Sequence, residues 1–220
     1  MPEINKLQNE LFKNTMNIFY SLSFYSPIII CVSIITFSLF TLTIEKSFVF
    51  FIWIFIITFL RIIIFKGLKK TEEPIEEIPN ICLTGLSELF IPRDVTYSTY
   101  ILTFTMMYFI MPMIMISIQN KINVLNYGVL SFFLAYIMLD LFVKKSLSCI
   151  PSWFSSLVIS DIMSGIFLGC VISGLIMYGS NLKNYLYINE MNTNNEVCSM
   201  PSKQQFKCRV FRDGTLIGNL

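Results

Sequence analysis

The feature that most constrains this chain is a series of apolar runs, each long enough to cross a lipid bilayer. A helix needs roughly 20 residues to span about 30 Å of hydrocarbon. Runs of about this length occupy approximately residues 24–43, 47–65, 97–118, 123–143 and 153–179. Only 14% of the 220 residues are charged, whereas soluble domains have about a quarter. The sequence therefore predicts an all-α, polytopic membrane bundle of about five transmembrane helices.

The apolar runs divide the chain into three parts. Residues 1–23 are polar with loosely spaced apolar residues, which favours an amphipathic helix on the membrane surface or a solvated N-terminal helix. Residues 24–179 form the predicted transmembrane bundle, and residues 180–220 form a polar linker and tail. In this tail, apolar and polar residues alternate up to Asp213-Gly214. Such alternation before Asp-Gly predicts a small β-hairpin.

Lysine and arginine residues near the span ends are concentrated on one membrane face. The face that holds the N-terminus and the loop after the second span has Lys6, Lys13, Arg61, Lys66, Lys69, Lys70, Arg93, Lys144 and Lys145. The opposite face has Lys46, Lys121 and Lys183 close to the spans. Basic residues accumulate on the cytoplasmic side of membrane proteins. The skew predicts a cytoplasmic N-terminus, and five spans then place the tail on the other side.

The residue types present exclude several kinds of chemistry. The chain has no histidine, the commonest general base and zinc ligand. None of the six cysteines forms a C-x-x-C pair, and the glutamate-rich loop lacks EF-hand spacing, so we predict no metal site and no cofactor. Cys198 and Cys208 either form a disulfide across the predicted hairpin or stay free thiols. A net charge of +2 without aromatic-interleaved basic stretches argues against nucleic acid.

Two acidic residues lie within or beside the predicted spans. Asp140 precedes Lys144 by four positions, which predicts an ion pair on one helix face. Asp161 lies near the start of the fifth span, where a carboxylate is costly unless it has a partner. The positive end of the helix dipole, or an ion pair with Lys144 or Lys145, would stabilise it there. The alternative interpretation is that Asp140, Asp161 and nearby hydroxyls line the path of a small channel or transporter.

Small residues follow Asp161 at intervals of four, at Gly165, Gly169 and Ser173. Residues four apart lie on one face of an α-helix. Small residues let the backbones of membrane helices approach closely. This stripe predicts that both glycines face another helix, while Asp161 turns toward a cleft on the loop side and finds a cation or water.

Three segments on the predicted N-terminal face carry matched residues in a familiar order. Lys66 is followed after six residues by Glu73-Pro74, Pro92 begins Pro-Arg-Asp-Val, and Asp161 starts the glycine stripe. Together they resemble the type 2 phosphatidic acid phosphatase superfamily, whose signature is Lys-x6-Arg-Pro, Pro-Ser-Gly-His and Ser-Arg-x5-His-x3-Asp. The resemblance covers about residues 47–179 and implies a phosphatidic-acid-phosphatase-like helical core, with the three segments converging at the membrane surface.

The catalytic residues of that signature are replaced in this chain. In the family, one histidine attacks phosphorus, the other passes protons, and basic residues hold the phosphate. Val95 and Leu157 stand at the two histidine positions. Glu73 stands at an arginine position and would repel phosphate, which Arg93 compensates only in part. The resemblance therefore implies a pseudoenzyme, with a lipid phosphatase-type enzyme of atypical site as an alternative.

The leading functional hypothesis is a non-catalytic integral membrane protein with a structural or scaffolding role. Besides the lipid bilayer, its expected partners are membrane or capsid-type proteins that bind the loop 66–96 and the tail 198–220. The bias toward Asn, Ile, Lys and Phe is typical of an AT-rich genome. In a short, single-domain membrane protein this bias fits a large DNA virus or a unicellular eukaryote, for which the expected location is the internal membrane of a virion or an endomembrane. The chain lacks a TVGYG-like filter and paired broken helices, which weighs against the channel or transporter alternative.

Overall fold

A computed structural model describes residues 17–68, 82, 94–120, 125–152, 154–179, 182–188, 209–212 and 215–219. This part of the chain is helical apart from two short strands. The helices are α1 (Asn17–Phe24), α2 (Ser26–Phe40), α3 (Ile44–Leu68), α4 (Tyr97–Asn120), α5 (Tyr127–Ser146) and α6 (Ser156–Tyr178), followed by a short 3-10 helix, Lys183–Tyr185.

Four helices, α3 to α6, are long and apolar enough to cross a membrane. Helices of 20 to 25 residues extend about 30–37 Å, which matches the hydrocarbon thickness. The bent pair α1 and α2 would add a fifth span if it counts as one element. The chain is therefore a multi-pass helical membrane protein, as predicted, with four unbroken spans.

The predicted first span, 24–43, is shorter in the structure, because a break at Tyr25 precedes it and the helix ends at Phe40. α1 and α2 meet at an angle of 73°, and α2 has only 15 residues. Its length is about 22 Å, which is less than the hydrocarbon core. Pro27 lies in the first turn of α2. Proline has no amide hydrogen and disfavours helical geometry in the residue before it, so a helix continuing from α1 is broken here.

The contacts of α1 and α2 explain the direction of the bend. Tyr136 of α5 donates a hydrogen bond from its hydroxyl to the carbonyl of Leu22 at 2.8 Å, so α1 packs against α5. At the other end of α2, Ser38 and Tyr187 share a hydrogen bond of 2.5 Å between their hydroxyls. α2 therefore runs from the membrane face at which α5 ends to the opposite face, at which α6 ends. The remaining residues of the predicted surface segment, 1–16, lie outside the described part.

α4 is the central helix of the bundle. In its most apolar stretch, 61% of the residues are buried, against 28% to 39% in the other three unbroken spans. Its aromatic side chains build the core with α3: the ring of Phe50 lies 5.3 Å from that of Tyr108 and 5.9 Å from that of Phe109, centroid to centroid. The ring of Tyr187, after α6, lies 5.7 Å from Phe109. The segment after α6 thus folds back onto the bundle.

A disulfide joins Cys82 to Cys149, whose Cα atoms are 5.6 Å apart. Cys82 belongs to the segment between α3 and α4, and Cys149 follows α5, so both connections lie on one side of the membrane. We call this side the disulfide face. From the sequence, a disulfide was considered only for Cys198 and Cys208, with free thiols as the alternative, and both residues lie outside the described part of the chain.

Two short strands lie in the C-terminal segment. Strands β1 (Arg209–Arg212) and β2 (Thr215–Asn219) pair antiparallel, with Arg212 opposite Thr215. The turn of the hairpin predicted from the sequence, Asp213-Gly214, lies outside the described residues. The side chains of both strands lie outside the described part of the structure.

Candidate functional site

Arg61, near the end of α3, binds two carboxylates at once. Its Nε and Nη2 atoms donate to the two oxygens of Asp94 at 2.6 and 2.8 Å. Its Nη1 and Nη2 atoms donate to the two oxygens of Asp161 at 2.7 and 3.0 Å. The planar guanidinium is suited to such paired hydrogen bonds. Arg61 therefore connects α3 to the segment that leads into α4 and to α6.

Further groups enclose the Arg61 guanidinium. The Tyr100 ring lies 4.6 Å from its central carbon, a cation–π contact. Thr96 donates to Asp94 at 3.2 Å. Asp94 lies three residues before Tyr97, the first residue of α4, at the end of the helix where its dipole favours a negative charge. Arg61 and Asp94 are 8% and 3% exposed, whereas Asp161 is partly buried. We call these connected groups the arginine network.

A second network surrounds Asp140 on α5, which is fully buried. One carboxylate oxygen accepts hydrogen bonds from Ser23 at 2.6 Å and from Ser98 at 2.9 Å. The other accepts from Thr99 at 2.6 Å and from Lys144 at 2.7 Å. Both oxygens are thus satisfied. Because Ser23 lies on α1 and the other two hydroxyls on α4, this carboxylate connects three helices.

Lys144 completes this second network, which we call the lysine network. Its side chain is fully buried. The ammonium donates to Asp140 at 2.7 Å, to Ser98 at 2.5 Å and to Thr99 at 2.8 Å. An ammonium has three protons, so each one has an acceptor. The predicted ion pair between Asp140 and Lys144 is confirmed.

The beginning of α4 lies between the two networks. Asp94 and Thr96 belong to the arginine network, whereas Ser98 and Thr99 belong to the lysine network. Unpaired charges are expensive inside a bilayer, and here each is matched. Among the described residues, no group of three or more cysteine, aspartate or glutamate side chains could hold a metal ion. The ion pairs and hydrogen bonds of the two networks therefore connect helices to one another.

Asp161 finds a cation, as expected for an intramembrane carboxylate, but the partner differs from the two suggested by the sequence. Its partner is Arg61 on α3. Lys144 is turned toward Asp140, and Lys145 donates a hydrogen bond to the carbonyl of Pro151. The suggested ion pair of Asp161 with Lys144 or Lys145 was therefore wrong, because α5 directs both lysines elsewhere.

The positions of the phosphatase-like signature are only partly described. Val95 lies half-buried in the turn before α4, and Leu157 on α6 is 59% exposed. Lys66 belongs to α3, but its side chain lies outside the described part, as do Glu73, Pro74, Pro92 and Arg93. The arginine network brings together the end of α3, the segment before α4 and the start of α6.

The glycine stripe of α6 packs against α4. A β-carbon added to Gly165 would collide with the hydroxyl of Thr103, and one added to Gly169 would lie 2.8 Å from the carbonyl oxygen of Phe104. Ser173 is fully buried and donates to the carbonyl of Gly169 at 2.6 Å. The two helices can approach this closely because neither glycine has a side chain.

Several contributors to the networks were missed by the sequence reasoning, among them Arg61, Asp94 and Ser98. Arg61 was counted only as an orientation charge, although a cation inside the apolar run 47–65 already calls for an acidic partner. Asp94 was read only as part of a degenerate motif. Ser98 carried no signal, because hydroxyl side chains are ordinary in membrane helices and usually bond to their own backbone.

Comparisons with known proteins assign no family to the chain. No family model, no curated protein and no solved structure matches it.

Proposed function

We propose that this chain is a non-catalytic integral membrane protein with a structural or scaffolding role. One observation carries the proposal. Four of the five N–H donors of Arg61 form hydrogen bonds to Asp94 and Asp161. In a phosphatase-like core this is the region where phosphate would have to bind. A guanidinium occupied by two carboxylates has little capacity left for phosphate, and the carboxylates repel an anion.

The lysine network supports the same proposal. It joins α1, α4 and α5 through a buried ion pair whose hydrogen-bonding groups are all used within the protein. Buried polar networks with every group satisfied favour one arrangement of the helices. A bundle held in this way is suited to presenting its connecting segments to partners. It is poorly suited to moving an ion, because a passing ion or proton would have to displace Lys144 from Asp140.

The proposed location is an endomembrane or the internal membrane of a virion. Within it, the loop 66–96 and the tail 198–220 would bind membrane or capsid-type proteins. Support comes from the composition of the chain and from the multi-pass bundle.

For the orientation of the bundle, two cues disagree. The skew of basic residues predicts a cytoplasmic disulfide face. Disulfides, however, persist mainly in oxidising compartments. Two of the basic residues on this face, Arg61 and Lys144, are neutralised inside the bundle by ion pairs. We give the disulfide between Cys82 and Cys149 more weight, and propose that the disulfide face is non-cytoplasmic.

A phosphate-release assay tests the proposal. Purified full-length protein in mild detergent should release no phosphate from phosphatidic acid or prenyl diphosphates above background. The Asp161→Asn variant provides the control, because it changes the arginine network without adding a nucleophile. Release by the unchanged protein that disappears in this variant would show that the protein is an enzyme. Proton uptake into liposomes that depends on Asp140 would instead support a transporter.

A further inference from the structure

A groove lies between α2 and α5 and reaches the side of the membrane opposite the disulfide face. Its volume is about 440 Å³. Ile34 of α2, Phe133 of α5 and Phe109 of α4 supply apolar walls and floor, and Asn126 and Tyr187 lie at one end. Because α2 and α5 both belong to the membrane-embedded bundle, the medium around this groove is lipid hydrocarbon.

The size of the groove decides what kind of molecule can fill it. The volume falls within the roughly 300–1,000 Å³ of small-molecule sites. A single flexible hydrocarbon chain fits a groove of this size, and the apolar side chains that line the groove suit such a chain.

Polar side chains lie at one end of the groove. Asn126 caps α5, where its side chain accepts from the amides of Gly128 and Val129 at 3.0 and 3.2 Å, and the Tyr187 hydroxyl shares a hydrogen bond with Ser38. Just outside the groove lining, the ammonium of Lys46 lies 5.9 Å from the centre of the Tyr187 ring. Lys46 belongs to the first turn of α3, at the membrane surface on this side. A cation at this depth faces the phosphates of lipid headgroups.

We propose that the groove binds one acyl chain of an anionic phospholipid. The chain lies along Ile34, Phe109 and Phe133, and the headgroup phosphate lies beside Lys46. Binding is non-covalent, and the bound chain fills the space between α2 and α5. This lipid site is independent of whether the protein acts as a scaffold.

Lipid retention tests the proposal with matched variants. Ser33 lines the groove, whereas Thr36 on the same helix does not; both are exposed, and each donates its hydroxyl to the carbonyl four residues earlier. The protein is purified in mild detergent with phosphatidylglycerol, and bound lipid is counted by native mass spectrometry. We expect one lipid on the unchanged protein and on Thr36→Trp, and at least a tenfold loss of occupancy in Ser33→Trp.

Two further arms complete this experiment. Val129→Trp fills the groove from α5 and should also lose the lipid, so the test survives if Ser33→Trp fails to fold by circular dichroism. Lys46→Gln should retain a lipid but bind phosphatidylglycerol and phosphatidylcholine equally, whereas the unchanged protein prefers phosphatidylglycerol. Equal occupancy in the groove variants and the control would overturn the site. Binding of oleate alone at the same occupancy would identify a fatty acid, and not a phospholipid, as the ligand.

Discussion

Arg61 and Asp161 are 100 positions apart in the chain, yet they form a bidentate ion pair between α3 and α6, with N–O distances of 2.7 and 3.0 Å. Because Arg61 also binds Asp94 through two hydrogen bonds, one cation is the ion-pair partner of carboxylates from two other parts of the chain. In hydrocarbon neither carboxylate would be tolerated alone. The pair explains why an acidic residue stands at the head of a helix-packing stripe.

The first prediction concerns the removal of Arg61. Arg61→Met should destabilise the fold by about 3–5 kcal/mol, because it leaves the buried carboxylate of Asp94 and the partly buried one of Asp161 without a cation. Asp161→Asn should cost less, since Arg61 keeps Asp94. Denaturant unfolding of the detergent-solubilised protein measures both values. Restoration of most of the loss by Arg61→Met combined with Asp94→Asn and Asp161→Asn would support this electrostatic cause. Equal stability of Arg61→Met and the unchanged protein would contradict it.

The second prediction concerns the lysine network. Lys144→Met and Asp140→Leu should each cost about 3–5 kcal/mol, because each leaves one fully buried charge unpaired. The double variant should cost less than the sum, since neither charge remains. A double-mutant cycle by unfolding gives the coupling energy. Additive losses would mean that the two residues act independently, contrary to the geometry.

The third prediction concerns the glycine stripe. Gly169→Leu should cost about 1–3 kcal/mol through overpacking, since an added β-carbon would lie 2.7 Å from the Cβ atom of Met107. Gly174 on the same helix is a matched control, because a β-carbon there meets nothing within 4 Å. Gly174→Leu should therefore change stability by much less in the same unfolding experiment. Similar losses in both variants would point to a general intolerance of α6 to leucine and against close packing.

Local pattern and length predicted part of this fold from the sequence. The four unbroken spans follow from hydropathy over about 20 residues, because the bilayer sets the length of a helix that crosses it. The pair Asp140 and Lys144 followed from a spacing of four on one helix. The break before α2 also had a local signal, Pro27, because proline disfavours a continuous helix at this point.

The contacts between distant helices had no comparable signal. Periodicity identifies which face of a helix is turned inward, but not which helix lies against it. The pairing of Arg61 with Asp161 depends on α3 and α6 being neighbours, and this follows only from the packed bundle. The disulfide between Cys82 and Cys149 is of the same kind, since their separation of 67 residues carries no geometric information. Single-sequence reasoning therefore found the carboxylate of the site but not its partner.

The last prediction concerns the side of the membrane on which the disulfide face lies. Single cysteines introduced at Ser152, beside the disulfide, and at Leu182, after α6, mark the two faces, because α6 crosses the membrane between them. If the disulfide face is non-cytoplasmic, a membrane-impermeant maleimide should label position 182 in cells whose plasma membrane alone is permeabilised, and position 152 only after the endomembranes are permeabilised as well. If free thiols are blocked and the protein is then digested without reduction, the digest should contain a peptide with Cys82 linked to a peptide with Cys149. The reverse labelling would show that the disulfide face is cytoplasmic, as the basic residues indicate. If the linked peptides were found as well, the disulfide would require an oxidant on the cytoplasmic side.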